Sequence, residues 1–245
     1  AVLDGGIRLV DPLARQLTGH GADKWFLYGT LYTLAVLVMG VRMQMKYRHN
    51  RYHRIRTLSV SFFQLGFAYL VPAFLKRLEQ PDYYFTYFWP LKSWYGTPSA
   101  VGFLSGYGRF GLFLIGFGVV MTLVATPVLT YFYGKRWYCS WVCGCGGLAE
   151  TLGDPWRQNS DKSTRAWKIE RWSVHSVLVL VTLSTALLWY SHATGRLGSA
   201  SQTFDRLYGL YIGAIFSGVV GVGFYPILGS RVWCRFGCPM AAILG

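Results

Sequence analysis

The chain has 245 residues, of which 53% are hydrophobic and 14% are charged, with a net charge of +14. A soluble domain has about 25% charged residues, so this composition argues against a soluble globule and favours an integral membrane protein. Five cysteines, clustered in the sequence, are too few for a disulfide scaffold and favour metal or redox chemistry.

Five apolar stretches are long enough to cross a bilayer, which takes roughly 17 to 25 helical residues. The predicted spans are Trp25–Val41, Leu58–Leu75, Phe110–Tyr133, Val174–Tyr190 and Leu207–Leu228. We therefore predict an all-α polytopic membrane protein with five transmembrane helices. It has a mixed polar amino-terminal segment at 1–24, without a cleavable signal, and a transmembrane helical domain at 25–245.

Basic residues predict the orientation of the spans. Six Lys or Arg lie in Arg42–Arg56 and seven in Gly134–Trp172, and the tail adds Arg231 and Arg235, against nine on the opposite side. Because Lys and Arg are enriched on the cytoplasmic side, segment 1–24 is predicted to be periplasmic and the carboxyl end cytoplasmic, in a bacterial inner membrane. This topology explains the net charge without nucleic acid.

Two further features lie outside the cysteine segments. Asp82–Tyr95 is densely aromatic around Pro90 and is predicted to lie at the outer membrane interface, not to form a sixth span. Small residues recur every four positions on span five, at Gly209, Gly213, Ser217 and Gly221. Such a face allows close helix–helix approach and would bring span five against a neighbour such as span three.

One cysteine motif occurs twice. Residues 134–144 read GKRWYCSWVCG and residues 229–239 read GSRVWCRFGCP. The copies share a glycine, an arginine two residues later, an aromatic residue before the first cysteine, and Cys-x3-Cys, all at an offset of 95 residues. Each copy also follows a long apolar segment with a proline near its end. The repeat indicates one site assembled from two halves.

The two pairs supply four candidate ligands, which are Cys139, Cys143, Cys234 and Cys238. In a helix, Cys-x3-Cys places two sulfurs on one face, about one turn apart. Four thiolates are the usual protein ligands of an iron–sulfur cluster and also of structural zinc. Arg136 and Arg231 would favour deprotonated thiols, and Trp137 and Trp233 would shield a centre at the membrane boundary. Cys145 has no counterpart in the second copy and is expected to be spare or to replace one ligand.

Two alternatives to a four-thiolate site remain. The cysteines could be reduced and only packed at two helix ends. A b-type haem could be held by histidines, but His175 and His192 are about 25 Å apart along a helix and could not bind the same haem. His49 and His53 are expected in a solvated loop. No carboxylate relay is predicted within the spans, so a proton pump is unsupported.

At the duplicated Cys-x3-Cys followed by Gly or Pro, the chain resembles the NapH/NosR-like membrane ferredoxin family, which includes CcoG-type oxidase assembly proteins. The resemblance rests on the four cysteines, Pro239 and the helix–motif arrangement from Arg109 onward. It implies a 4Fe-4S cluster at cytoplasmic helix ends, commonly followed by soluble ferredoxin modules. The first copy departs from the pattern at Gly144 and Cys145. No Cys-x2-Cys-x2-Cys run occurs, so such modules are expected beyond this sequence or on a separate subunit.

These features predict a membrane electron-transfer subunit of an oxidoreductase system. It would pass electrons between a quinone or periplasmic partner and cytoplasmic iron–sulfur carriers, alongside other membrane or soluble redox subunits. Two other functions are retained as alternatives. One is a non-enzymatic membrane scaffold or metalloenzyme assembly factor, and the other is a haem b anchor subunit of a quinol oxidoreductase.

Overall fold

The computed structural model describes residues 2–134, 137–196 and 198–244, within which every regular element is a helix. Five of the helices in these ranges are long and apolar enough to cross a membrane, which confirms the predicted fold class. Spans one to five comprise Lys24–Lys46, Arg51–Arg77, Gly108–Tyr133, Thr164–Thr194 and Gly198–Gly223. The chain divides into two compact units, Ala1–Phe85 with Cys139–Leu152, and Thr86–Tyr138 with Gly153–Gly245.

The first unit begins with an amphipathic helix, Val2–Thr18, which packs on spans one and two. Its most buried side chains, Val10, Ala14 and Thr18, are spaced four residues apart and so lie on one face. The sequence was interpreted here only as a mixed polar segment, because glycines and charges interrupt the apolar residues. Packing against two spans stabilises a helix that its composition alone does not indicate.

The connection between spans one and two is shorter than predicted. Asn50 caps span two, since its side chain accepts the backbone N–H of His53. Such a cap satisfies one of the first amides of a helix, which have no partner within it. The helix therefore begins at Arg51, and the prediction of a loop extending to Arg56 was wrong. The cap, not the last charged residue, sets the boundary.

Three spans contain a π-helical stretch, at Gly66–Leu70, Met121–Ala125 and Gly209–Val220. In spans two and three a proline follows directly, within the first two residues of the next α-helical segment. Proline has no N–H and its ring presses on the carbonyl four residues earlier, so a widened turn accommodates it. In span three the Thr126 hydroxyl donates to the Met121 carbonyl at 2.7 Å, which satisfies one of the carbonyls there.

Span five differs from its prediction at both ends. It begins at Gly198 and ends at Gly223, and Tyr225–Leu228 forms a separate short helix that starts around Pro226. The earlier start places Asp205 inside the span, where the Ser93 and Ser184 hydroxyls donate to its carboxylate at 2.6 and 2.8 Å. The predicted span, which began at Leu207, did not include this carboxylate.

The small residues of span five do not form the continuous close contact with a neighbouring helix that was predicted. A Cβ added at Gly209 or Gly213 would meet no described atom within 4 Å. Gly221 is the exception, because a Cβ there would lie 2.8 Å from Trp233 Cβ. The π-helical stretch changes the angle between residues four apart, which breaks the single face that α-helical spacing predicts.

As predicted, the aromatic segment Asp82–Tyr95 does not form a sixth span. It is mostly irregular and ends in a short 3₁₀ turn, Ser93–Gly96, followed by the helix Pro98–Ser105. Its centre is buried: Phe88 is 0% exposed and packs edge-on against Tyr138 with 5.7 Å between ring centroids. The segment thus contributes to the core of the second unit. Its position at the membrane interface stays a prediction.

A buried ion pair links span two to the short helix Gly144–Thr151 within the first unit. Arg56 Nη2 lies 2.6 Å from Glu150 Oε2, and both side chains are less than 10% exposed. His53 Nδ1 lies 3.2 Å from the same guanidinium nitrogen. Removing one member of such a pair leaves an uncompensated charge in a low-dielectric environment.

Replacing Glu150 by Ala should lower the free energy of unfolding by about 3–5 kcal/mol, because the Arg56 charge stays buried without its carboxylate. The double variant Arg56→Met, Glu150→Leu should recover most of that loss. Lys76→Ala is the matched control, because it breaks an exposed ion pair with Asp23 and should change stability by less than about 1 kcal/mol. Chemical denaturation in detergent micelles measures all three. Equal losses for Glu150→Ala and Lys76→Ala would contradict the assignment.

Candidate functional site

The two motif copies fold alike. Each preceding helix ends at a glycine with almost the same backbone angles, φ 81° and ψ 172° at Gly134, and φ 81° and ψ 173° at Gly229. A positive φ of this kind favours glycine. A five-residue helix follows in each copy, Trp137–Trp141 or Val232–Phe236, and then a second helix that starts at Gly144 or Pro239. In the described residues, the two copies therefore share their order of helices and the backbone angles of their first glycine as well as their sequence pattern.

The cysteines of each pair do not share one continuous helix, so that part of the prediction was wrong. The first cysteine lies in the five-residue helix, and the second lies in the break before the next helix. Cys143 has extended backbone angles, φ −71° and ψ 126°, and caps the helix Gly144–Thr151. In the second copy Gly237 ends one helix and Pro239 begins the next. Proline suits a first helical position, where its missing N–H costs nothing.

Cys143 sits at a helix amino terminus that favours its deprotonated form. The Cys145 thiol donates a hydrogen bond to its sulfur, and the backbone amides of Gly146 and Cys145 do the same. Together they lower the pKa of Cys143, although burial acts in the opposite direction. A thiolate is the form that binds metals and clusters. Cys145, expected to be spare, thus contacts a predicted ligand directly.

Three glycines let the first copy pack closely. A Cβ at Gly146 would overlap the Cys139 carbonyl oxygen, and one at Gly147 would overlap Val60 on span two. A Cβ at Gly144 would lie 2.5 Å from Gln64 Oε1 and 3.5 Å from the Tyr32 hydroxyl. This close approach explains why Gly144 stands where the second copy has proline. A pyrrolidine ring has no room against span two.

These contacts place the first motif beside the middle of span two. Gln64, against Gly144, lies about 20 Å along the helix from Arg51, and the whole span is about 40 Å long. Nearer the Arg51 end, Ser59 donates to the Trp141 carbonyl at 2.9 Å, and Arg56 binds Glu150. The motif therefore lies alongside span two from near the Arg51 end to the middle of the helix. It does not stop level with the Arg51 end.

The second copy is held by different contacts. Arg235 binds Glu170 Oε2 on span four at 2.8 Å and donates to the Ser160 hydroxyl at 2.6 Å. Ser173, also on span four, donates to the Phe236 carbonyl. The final helix, Pro239–Leu244, packs on span four and buries Pro239, Met240 and Leu244. The backbone of the motif is thus repeated, but its anchoring is not.

The residues predicted to support the cysteines lie in different structural settings. Arg231 has a left-handed backbone, φ 70°, and caps the helix Val232–Phe236. Trp137 donates from Nε1 to the Thr130 hydroxyl at 3.1 Å, and Trp233 packs edge-on against Phe216. Pro239 is buried at a helix start. Arg136 lies outside the described residues.

Sequence reasoning missed three groups. Arg235 and Glu170 form the ion pair at the second motif, but only tertiary contact joins residues 65 positions apart. Tyr32 was overlooked because a tyrosine in an apolar span carries no pattern. Gln64 is a polar residue in span two, and its proximity to Gly144 could not be read from sequence.

The donor set fits an iron–sulfur cluster better than a hard cation, since thiolates are the ligands such clusters take. None of the five cysteines is joined in a disulfide. Within the described part of either unit, no three His, Cys, Asp or Glu residues group closely enough to hold a metal ion. That the two pairs share one centre stays a prediction.

Comparison with known proteins bears on the same residues. A family model for a 4Fe-4S binding domain matches residues 112–163 and 210–245, which together include all five cysteines. No curated protein and no solved structure matches the chain. The match supports an iron–sulfur-binding family and an iron–sulfur cofactor. The haem alternative receives no support.

Gly146→Ala should destabilise the fold by about 1–3 kcal/mol and reduce iron content, because its Cβ forces the two motif helices apart at the Cys139 carbonyl. Gly66→Ala, in span two of the same unit, is the control, because no described atom lies within 4 Å of its Cβ. It should be neutral or stabilising by up to about 1 kcal/mol. Denaturation and iron analysis of purified protein test both. A harmless Gly146→Ala would refute the close-packing argument.

Proposed function

We propose that this chain is a membrane electron-transfer subunit that holds a 4Fe-4S cluster through Cys139, Cys143, Cys234 and Cys238. The observation that carries the proposal is the duplicated motif, which recurs in backbone conformation and falls within both matched segments of the 4Fe-4S family model. Four thiolates are the ligand count such a cluster requires. Membership of the NapH/NosR-like family is part of this proposal.

The chain's own residues would bind, shield and orient the cluster. When bound, an iron–sulfur cluster accepts and releases single electrons. Helix amides and the Cys145 thiol keep Cys143 ready as a thiolate. The contacts of Gly144 and Gly147 with span two hold the helix that follows Cys143 against that span. At the second motif, the Arg235–Glu170 ion pair fixes the helix that carries Cys234.

The orientation and partners follow from charge and chemistry. The excess of Lys and Arg in the segments around the motifs supports a cytoplasmic side for both, with segment 1–24 periplasmic, in a bacterial inner membrane. Electrons would pass between a quinone or periplasmic partner and cytoplasmic iron–sulfur carriers. Those carriers would be soluble ferredoxin modules or separate redox subunits.

Anaerobically purified protein should contain about four iron atoms per chain, with matching acid-labile sulfide. Cys143→Ser and Cys234→Ser, one from each motif, should each remove the iron and the cluster's optical and paramagnetic signals, because each removes one of four shared ligands. Cys145→Ser is the matched control and should retain them. Iron, sulfide and zinc are quantified on the same samples.

The possible results separate the rival functions. Zinc, or no metal, in the wild-type protein would favour the scaffold or assembly factor and sink the proposal. Full iron in Cys234→Ser would show that the second motif is not a ligand. Iron lost from Cys145→Ser but kept in Cys139→Ser would show that Cys145 replaces Cys139. Haem bands in a reduced-minus-oxidised spectrum would revive the haem alternative.

A protease site inserted between Arg48 and His49 should be cut in inverted membrane vesicles and protected in spheroplasts. One inserted between Gly195 and Arg196 should show the reverse pattern, because the two positions flank oppositely directed ends of spans one and four. Immunoblotting of the fragments gives the result. Inverted patterns would overturn the orientation and leave the cluster assignment intact.

A further inference from the structure

Tyr32 brings a buried hydroxyl between the apolar spans of the first unit. Its oxygen has no hydrogen-bond partner among the described residues. A Cβ on Gly144, the residue between Cys143 and Cys145, would lie 3.5 Å from it. A buried hydroxyl without an acceptor destabilises the fold, because its lost hydrogen bonds to water are not replaced. Such a group is expected to find its acceptor when the site is complete.

The surroundings favour sulfur as that acceptor. Gln64 Oε1 also faces Gly144, yet it forms no hydrogen bond with Tyr32 among the described residues. The Gln64 amide donates instead to the Thr33 hydroxyl at 3.0 Å. Gly144, against which the Tyr32 hydroxyl lies, is flanked in the chain by Cys143 and Cys145 at the start of the helix Gly144–Thr151. Thiolates are charged acceptors, and charge-assisted hydrogen bonds are about twice as strong as neutral ones.

We infer that the Tyr32 hydroxyl donates a hydrogen bond to a sulfur of the first motif, either to the Cys143 thiolate directly or to the Cys145 thiol that itself donates to Cys143, and thereby raises the reduction potential of the centre. This inference rests on the proposed function. Tyr32 is a positioning residue that acts through sulfur, without touching the partners that supply or remove electrons.

The sign of the effect follows from charge. Reduction adds a negative charge to the cluster and its thiolates. A donor aimed at sulfur stabilises that added charge more than it stabilises the oxidised state. Burial strengthens the effect, because a hydrogen bond is electrostatically stronger where the effective dielectric constant is low. Loss of the donor therefore favours the oxidised state.

Tyr32→Phe removes only the hydroxyl and keeps the ring. Iron and sulfide should be unchanged, and the reduction equilibrium should shift about tenfold toward the oxidised state, which is about 59 mV for one electron. A redox titration of the full chain in detergent, monitored by electron paramagnetic resonance, measures this shift. Iron–sulfur stretching bands in resonance Raman spectra should move on exchange into heavy water in the wild type, and less in the variant.

Tyr69→Phe is the matched control. It removes a hydroxyl from the same pair of spans, but that hydroxyl hydrogen-bonds to Thr30 at 2.9 Å. The potential should stay at the wild-type value. A second variant with 3-fluorotyrosine at position 32 makes the hydroxyl a stronger donor and should shift the potential upward, opposite to Tyr32→Phe.

The outcomes are separable. Full iron with an unchanged potential in Tyr32→Phe would overturn the inference, for instance if water bridges Tyr32 and Gln64, and would leave the proposed function standing. Equal shifts in Tyr32→Phe and Tyr69→Phe would show general loosening of the spans and also overturn it. Wild-type protein without iron would instead refute the proposed function. Opposite shifts with phenylalanine and fluorotyrosine would establish the hydrogen bond.

Discussion

The first motif depends on the close packing of a helix whose first residues are mostly glycine. Gly144, Gly146 and Gly147 have no Cβ, so the short helix they begin can touch both span two and the preceding motif helix. That contact brings the Trp141 carbonyl to Ser59 and Glu150 to Arg56. Each bond satisfies a polar group that would otherwise be buried at a cost among apolar helices. The position of Cys143 follows from this packing.

The second motif meets the same requirement with other residues. Its backbone matches the described part of the first copy at the positive-φ glycine, in the five-residue helix and at the start of the second helix. Arg235, Glu170 and the Ser173 hydroxyl provide the polar contacts, and Pro239 begins the final helix. Residues that set the backbone are shared between the copies, and residues that meet neighbours differ. The shared residues therefore set the backbone conformation of the motif, and the differing residues fit each copy to its neighbours.

A sulfur site in such surroundings has consequences for redox chemistry. A low dielectric penalises the extra charge of a reduced cluster, because the charge is poorly solvated. Amides at a helix start and a buried tyrosine hydroxyl are fixed dipoles that offset this penalty without admitting water. Around Cys143 these groups come from Gly146, Cys145 and Tyr32. Electron transfer at the proposed cluster would benefit, since fixed dipoles reorganise little when the charge changes.

Composition and periodicity alone determined the broad features of this protein. Runs of apolar residues long enough to cross a bilayer gave five spans, and the 95-residue offset gave the duplicated cysteine motif. Both are local in sequence, because a helix depends on its own length and a motif on its own spacing. Cap residues such as Asn50 moved the boundaries, since one side chain decides where a helix begins.

Tertiary structure decided what surrounds each sulfur. Gly144 rests on Gln64, Arg56 pairs with Glu150 94 positions away, and the Tyr32 hydroxyl lies beside Cys145. None of these pairs has a sequence signal, because residues on different helices meet only after the helices pack. The break between the two cysteines of each motif was also hidden, since spacing reveals periodicity only if the helix continues.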